Sequence, residues 1–207
     1  MKKPLALAAA ILLAFFALPS AAAIPADATG IWNVDKVHSE IGFQVRHFVS
    51  NVRGGFTDFS GTIRIDAGKP EASSVEFTIK VASINTNEPK RDAHLKSPDF
   101  FDAEKFPEIR FVSKRVVPKS DTAYEVTGDL TMHGVTKEVT LPVSFNGVAK
   151  DPWGGERAGF ETAIRLNRQD YGVKWNKLLD QGGTMLSDDA AVTISLETTK
   201  ARPVAAK

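Results

Sequence analysis

Apolar and polar residues alternate along most of this chain, as they do at Ile41, Phe43 and Val45. Because the side chains of a strand point to opposite faces with a period of two, each such segment has one face to bury and one face for water. Nine segments predict strands, and the first two are interpreted as parts of one bent strand, which gives eight. The segments are 31–35, 39–47, 59–66, 74–83, 109–117, 123–132, 137–145, 157–166 and 191–197.

Strands with a single apolar face must hide those faces in a common interior. A closed antiparallel barrel achieves this and leaves no free sheet edge. The sequence therefore predicts an all-β barrel of about eight strands, with one short helical segment near residues 88–102, where Asn87 is the expected N-cap. Pro142 falls on the polar face of its strand, so that position must be a bulge or lack a ladder partner.

The first residues are typical of a secretory signal peptide. Lys2 and Lys3 precede an apolar run over 5–18, and alanines at 21–23 provide a small-residue cleavage site. The run is shorter than the roughly 20 residues of a membrane span. We expect cleavage after about Ala23, a single domain over 24–207 and a periplasmic location. The alternative is an uncleaved anchor.

Charge and composition exclude some functions. Without Lys2 and Lys3, the 26 Lys and Arg residues fall to 24, against 25 Asp and Glu, and this balance disfavours nucleic acid as a partner. The sequence contains no cysteine, so neither a disulfide nor an acylated cysteine is expected. The four histidines show no metal-ligand spacing, and no serine lies in a nucleophile elbow. We therefore predict no cofactor, no metal and no catalytic residues.

The longest connections are expected at one rim of the barrel. If strands alternate up and down, the segments 85–108 and 167–189 emerge at the same end, where binding residues tend to lie. His47 continues the inward face of its strand, and so does Arg168, so both are predicted to contact a ligand head group. Alternatively, both turn outward to solvent. Arg91, His94 and Trp175 complete the predicted rim, although Arg91 and His94 could equally form the solvated face of a short helix.

The interior is expected to suit a long apolar guest. The chain has 13 phenylalanines but only two tyrosines and three tryptophans, so its interior offers mainly dispersion contacts. Three alternatives remain: a barrel of this size filled by its own side chains, a packed interaction module without a ligand, or an enzyme on a lipophilic substrate with His47 or His94 as general base. The predicted lumen residues are Phe43, Val45, Phe77, Ile79, Phe111, Leu130, Phe145, Phe160 and Ile164.

Several segments resemble the YceI-like family of exported lipid-binding proteins, and together they cover nearly all of the chain after the signal. They are DKVHS at 35–39, FQVRH at 43–47, GFTDFSG at 55–61, RDAHLKSPDFFD at 91–102, KFP at 105–107, GDLTMHGVT at 128–136 and DPWGGERAGF at 151–160.

The resemblance implies a lipocalin-like, extended eight-stranded antiparallel barrel that binds a polyisoprenoid or similar amphiphile in its lumen. Family members are generally periplasmic and often dimeric, and some are linked to isoprenoid quinone metabolism or to stress responses. A prenyl quinone precursor is therefore the guest that the resemblance suggests, with isoprenoid transport or storage as the role. A homodimer and transient contact with a membrane are further expectations. Residues 167–175 fall in a region that varies between subgroups, so head-group preference can differ there.

Overall fold

The computed structural model describes residues 24–180 and 182–202, and the predicted signal peptide lies outside the described residues. Within these ranges the chain forms strands and one short α-helix, and no helix there is long and apolar enough to cross a membrane. The elements are β1 (Gly30–Val34), β2 (Glu40–His47), β3 (Ser50–Phe56), β4 (Phe59–Ile65), β5 (Ser74–Lys80), β6 (Ile84–Asn85), α1 (Pro89–Lys96), β7 (Glu108–Pro118), β8 (Ala123–Met132), β9 (Val135–Lys150), β10 (Glu156–Asn167) and β11 (Leu186–Lys200).

These strands close into an eight-stranded antiparallel barrel, as predicted. Strands β1 and β2 share one position, because both pair with β11: β1 with its last residues and β2 with the residues before them. Strands β3 and β4 together occupy the next position in the barrel, because β3 pairs with β2 and β4 pairs with β1. Strands β5 and β6 together occupy the position after that, where they pair with β4 and β3. Strands β7 to β11 fill the remaining five positions in chain order. The first two predicted segments are therefore parts of one bent strand, interrupted by a 3-10 turn over Lys36–His38.

Strand β3 was not predicted, because its sequence has adjacent glycines where alternation would require apolar residues. Gly54 pairs with Phe43 of β2, and a Cβ atom on Gly54 would lie 2.5 Å from Cζ of that ring. Gly61 of β4 similarly faces its partner Phe77 of β5, whose Cε2 would lie 3.0 Å from an added Cβ. The glycines thus make room for phenylalanine rings against the inner wall, which a hydrophobicity pattern does not reveal.

Two other sequence expectations have different outcomes. The β9–β10 ladder ends at Val143 and Thr162, so Pro142 has no partner on β10, as expected for a proline within a strand. The N-cap prediction was wrong, because Glu88 caps α1 instead of Asn87. The Glu88 carboxylate accepts hydrogen bonds from the backbone N–H groups of Lys90 and Arg91, while Asn87 takes a positive φ of 60° just before the helix.

Replacement of Gly54 by alanine tests the close approach between β2 and β3. We expect Gly54→Ala to lower the free energy of unfolding by about 1–3 kcal/mol, because the new methyl group overlaps the Phe43 ring. Gly68→Ala is the matched control, since its Cβ would come no closer than 3.6 Å to Asp66, and it should change stability by less than about 0.5 kcal/mol. Urea unfolding of both variants measures the difference, and equal midpoints would contradict the proposed packing.

Candidate functional site

A cavity of about 480 Å³ extends through the barrel, which is within the usual range for small-molecule pockets, roughly 300–1,000 Å³. It reaches from Ile24 and Pro70 at one end to His47 and Arg168 at the other. Its walls are predominantly aliphatic and aromatic. All nine predicted lumen residues line it: Phe43, Val45, Phe77, Ile79, Phe111, Leu130, Phe145, Phe160 and Ile164. The structure therefore shows an interior with open space, not one filled by its own side chains.

Phenylalanine pairs give the lumen wall much of its surface. The ring centroids of Phe145 and Phe160 lie 5.5 Å apart, and those of Phe43 and Phe56 lie 5.8 Å apart. These are ordinary aromatic contacts, which fix the rings against one another. A polar exception is the Thr162 hydroxyl, which is buried and has no hydrogen-bond partner among the described residues. A chain of CH2 and CH3 groups therefore matches nearly the whole surface.

The five predicted rim residues also reach this cavity. All five line it: His47, Arg91, His94, Arg168 and Trp175. They come from three parts of the chain, namely the end of β2, helix α1 and the segment after β10. The structure thus brings the long connections together at one rim. Arg168 is only 7% exposed, so the alternative in which it turns outward is wrong.

Arg168 is a buried cation that organises the rim. Its Nε donates to the carbonyl of Ser187 at 3.0 Å, and its Nη1 donates to the carbonyls of Val173 at 2.7 Å and Trp175 at 2.9 Å. Nη2 makes an ion pair of 3.5 Å with Asp188 but has no hydrogen-bond partner among the described residues. Burial lowers the pKa of Arg168, and the Asp188 carboxylate opposes that shift. One nitrogen atom of a buried guanidinium is thus left without a hydrogen-bond partner among the described residues, in a side chain that lines the cavity.

The guanidinium of Arg91 is already hydrogen-bonded within the protein, so it is not free to bind a head group directly. Its Nε donates to the Thr86 hydroxyl at 2.7 Å, and its Nη2 donates to the Thr86 carbonyl at 2.8 Å. The Asp92 carboxylate accepts the Thr86 backbone N–H at 2.8 Å. These bonds fasten the start of α1 to the end of β6. Thr86 is 5% exposed and lines the cavity, but nothing in the strand pattern identified it.

An aromatic cluster of His94, Phe100 and Trp175 lies on the same rim. The His94 ring lies 5.0 Å from the rings of both Phe100 and Trp175, and these two rings lie 5.0 Å from each other. His94 Nε2 is 2.8 Å from the Asp99 carboxylate, so the imidazole has a fixed orientation. Phe100 lies within the segment 91–102 but was not predicted as a site residue, and the structure adds it to the cavity lining. The cluster ties α1 to the loop that follows β10.

A separate cluster of two carboxylates and one histidine, which could hold a metal ion, lies outside the cavity lining. Asp35, His38 and Glu197 place ligand atoms within 4.8 Å of one another, at the junction of β1 and β2. Arg157 already contacts both carboxylates, at 2.5 Å from Asp35 and 3.0 Å from Glu197. The hydrogen bond from His38 is the main cause that lowers the pKa of Asp35, and Arg157 adds to it. Arg157 therefore already engages both carboxylates of the cluster, and none of its three members lines the lumen.

The fold and the cavity define a class of protein: an up-and-down barrel with an apolar lumen and a polar rim. The chain belongs to the YceI-like family, whose domain matches residues 32–198.

Individual relatives agree with this assignment. A UPF0312 protein of Pseudomonas putida (strain F1) is 46% identical over 146 residues, which are 69% of this chain and 76% of that protein. The crystal structure of the Campylobacter jejuni YceI protein has a TM-score of 0.65 and 35% identity, and the match covers 82% of this chain and 97% of the other. A polyisoprenoid-binding domain from Saccharophagus degradans shares the fold alone, with a TM-score of 0.63 at 13% identity over 82% of this chain and 98% of the other.

Conservative replacement of Arg168 tests its role in holding the rim. Arg168→Lys keeps the charge but loses the planar fork that reaches three carbonyls, so buried acceptors lose their donors. We expect a loss of about 1–3 kcal/mol in unfolding free energy and faster tryptic cleavage after Lys174 and Lys177. Arg165→Lys, on the exposed face of β10, is the control and should change neither. Unchanged cleavage rates in Arg168→Lys would show that the loop is held by other contacts.

Proposed function

We propose that this chain is an exported, periplasmic binding or carrier protein that holds a polyisoprenoid or similar long apolar lipid in its barrel. The observation that carries the proposal is the apolar cavity, which extends along the barrel instead of being filled by side chains. The signal-like first residues support export. Membership of the YceI-like family and the barrel fold shared with a polyisoprenoid-binding domain support the class of ligand. A prenyl quinone precursor is the particular guest that we favour.

The energetics favour a long chain over a small guest. Each CH2 group transferred from water to the lumen contributes about 0.8 kcal/mol. Association costs on the order of 4–15 kcal/mol in lost freedom, so a guest of one isoprene unit would bind weakly or not at all. Several units exceed the cost, because the phenylalanines and aliphatic residues continue along the whole wall. The wall has few polar atoms to select a shorter, hydroxylated ligand.

The head group is proposed to contact Arg168. Its Nη2 atom is buried, charged and without a hydrogen-bond partner among the described residues, so it can donate to an oxygen atom of the guest. A phosphate, phenol or quinone oxygen at the end of the prenyl chain meets this requirement. His47, His94 and Trp175 line the same rim and would surround the group. Arg91 would act indirectly, because Thr86 already occupies two of its nitrogen atoms.

A charge inside the lumen tests the carrier proposal. We expect Phe77→Arg to abolish retention of the guest, because its buried position would place a guanidinium in the apolar cavity. Ser60→Arg introduces the same charge on the outer face of the adjacent strand β4 and should leave retention unchanged. Native mass spectrometry of protein purified from periplasm without detergent, followed by organic extraction, measures the bound lipid.

A second lumen variant controls for the case in which Phe77→Arg does not fold. Val45→Trp fills space near the rim without burying a charge, since Val45 is half-buried and lines the cavity. It should bind markedly less prenyl lipid while keeping the circular dichroism spectrum of the parent. If a folded Val45→Trp or Phe77→Arg protein retains the full amount of lipid, the guest does not lie in the lumen.

The head-group assignment makes a separate prediction. Arg168→Met should weaken binding of geranylgeranyl phosphate by about 10- to 100-fold, because a charged hydrogen bond contributes roughly 1.5–3 kcal/mol. Binding of the hydrocarbon with the same chain should change much less, and the ratio of the two affinities therefore reports the head group and not the fold. Arg165→Met is the control. An unchanged ratio in Arg168→Met would remove this residue from the head-group site.

A further inference from the structure

Three large apolar side chains are exposed at the rim that carries the long connections. Val49 is 96% exposed, Leu178 is 85% exposed and Phe48 is 42% exposed. We call these three residues the apolar tip. Phe48 and Val49 form the two-residue turn between β2 and β3, and Leu178 lies in the loop that follows β10. Exposed single apolar residues are common, but a group of them at the mouth of an apolar cavity points to an interaction surface.

Backbone hydrogen bonds join the two parts of the apolar tip. The Phe48 N–H donates to the Met185 carbonyl at 3.0 Å, and the Met185 N–H donates to the Lys177 carbonyl at 2.9 Å. Leu178 forms an isolated bridge with Thr184, next to Met185. The turn and the loop thus run side by side, about two strand spacings apart. Met185 and His47, which border this surface, also line the cavity, so the tip adjoins the opening of the lumen.

The turn itself has a sequence that local geometry does not favour. Phe48 takes a positive φ of 50°, a conformation for which hairpin turns usually use glycine or asparagine. Arg46 Nε donates to the Phe48 carbonyl at 3.0 Å and holds the turn in this shape. A bulky aromatic residue at such a position costs conformational energy, and strained positions of this kind concentrate at functional sites.

The surroundings of the tip are basic. Arg46, Arg53, Lys174 and Lys177 lie on the two segments that carry it, and none of the four forms an ion pair among the described residues. Asp180 is an exposed acid on the same loop. Of the two acids that follow on β11, Asp188 is engaged by Arg168 and Gln169, and Asp189 is exposed. Apolar side chains beside cations that form no ion pair among the described residues match the interface of an anionic bilayer.

We propose that the apolar tip docks on a membrane surface that contains anionic phospholipid, so that a prenyl chain passes directly between the bilayer and the lumen. The nature of the cargo rests on the function proposed above, whereas the docking itself rests on the tip and its cations. A second copy of this chain is the less suitable occupant. A two-fold contact through the tip would place two sets of unpaired arginine and lysine residues against each other.

Vesicle co-sedimentation tests the docking. We expect the protein to bind vesicles of phosphatidylethanolamine and phosphatidylglycerol, and to bind pure phosphatidylcholine vesicles much more weakly. The combined variant Phe48→Ser, Val49→Ser and Leu178→Ser should bind the anionic vesicles at least about tenfold more weakly, because the insertion of these side chains is lost. Lys174→Gln with Lys177→Gln should reduce binding to the anionic vesicles and weaken its dependence on salt.

The chain offers matched controls for exposed apolar area. Val37 is 84% exposed and Trp153 is 86% exposed, and neither belongs to the tip. Trp153 lies in the connection between β9 and β10, at the opposite end of the barrel. Val37→Ser with Trp153→Ser should leave vesicle binding unchanged. Equal losses in the control and tip variants, or equal binding of the parent to both kinds of vesicle, would overturn the proposal.

Two further measurements separate docking from the other interpretations. Binding of farnesol in solution, without vesicles, should be the same in the tip variant and the parent, because the lumen is intact. If no protein binds farnesol but the vesicle results hold, the carrier function fails and the docking surface stands. If sedimentation velocity shows a dimer that the tip variant abolishes, and vesicles do not bind, the tip is an interface between copies and the membrane proposal is wrong.

Discussion

The pairing of the last strand, β11, with the first strands, β1 and β2, is the constraint on which the rest of the structure depends. Its ladder with β10 continues without a break over eleven pairs, and its other edge holds β1 and β2 in succession. The two segments are interrupted at the 3-10 turn, where Ser39 bridges the gap. Its Oγ accepts the Glu197 N–H at 3.0 Å and donates to the Asp35 carbonyl at 2.7 Å. Without this seam the sheet would have two free edges and no enclosed lumen.

Closure alone does not explain why the lumen stays open, because eight strands can be filled by their own side chains. The glycines at 54 and 61 supply part of the answer. Each lies beneath a phenylalanine of the adjacent strand, so the ring occupies space that a side chain at the glycine position would otherwise fill. The wall keeps a large aromatic surface while the centre stays free. The cavity therefore remains open along the barrel, lined by these rings.

The sequence predicted the parts of this arrangement that depend on local periodicity. Alternation located most strands, and parity placed His47 and Arg168 at the rim because a strand has two faces. Strand β3 was missed, since Gly54 is understood only through its contact with Phe43. The partners of Arg168 were also beyond prediction, because the carbonyls of Val173, Trp175 and Ser187 come from irregular backbone. Such contacts arise from tertiary geometry and leave no repeating signal in the chain.

The rim reverses the usual order of a protein surface, in which polar groups face water and apolar groups face inward. Here the buried Arg168 faces the lumen, and Val49 and Leu178 face outward. Each arrangement is unfavourable for a protein surrounded only by water. A buried cation loses its hydration, and an exposed apolar side chain leaves hydrophobic surface in contact with water. Under the two proposals above, both costs would be offset by one kind of partner, an amphiphile whose polar end reaches the guanidinium and whose source is a lipid phase. The same rim would then contact both the bound molecule and the surface from which that molecule comes.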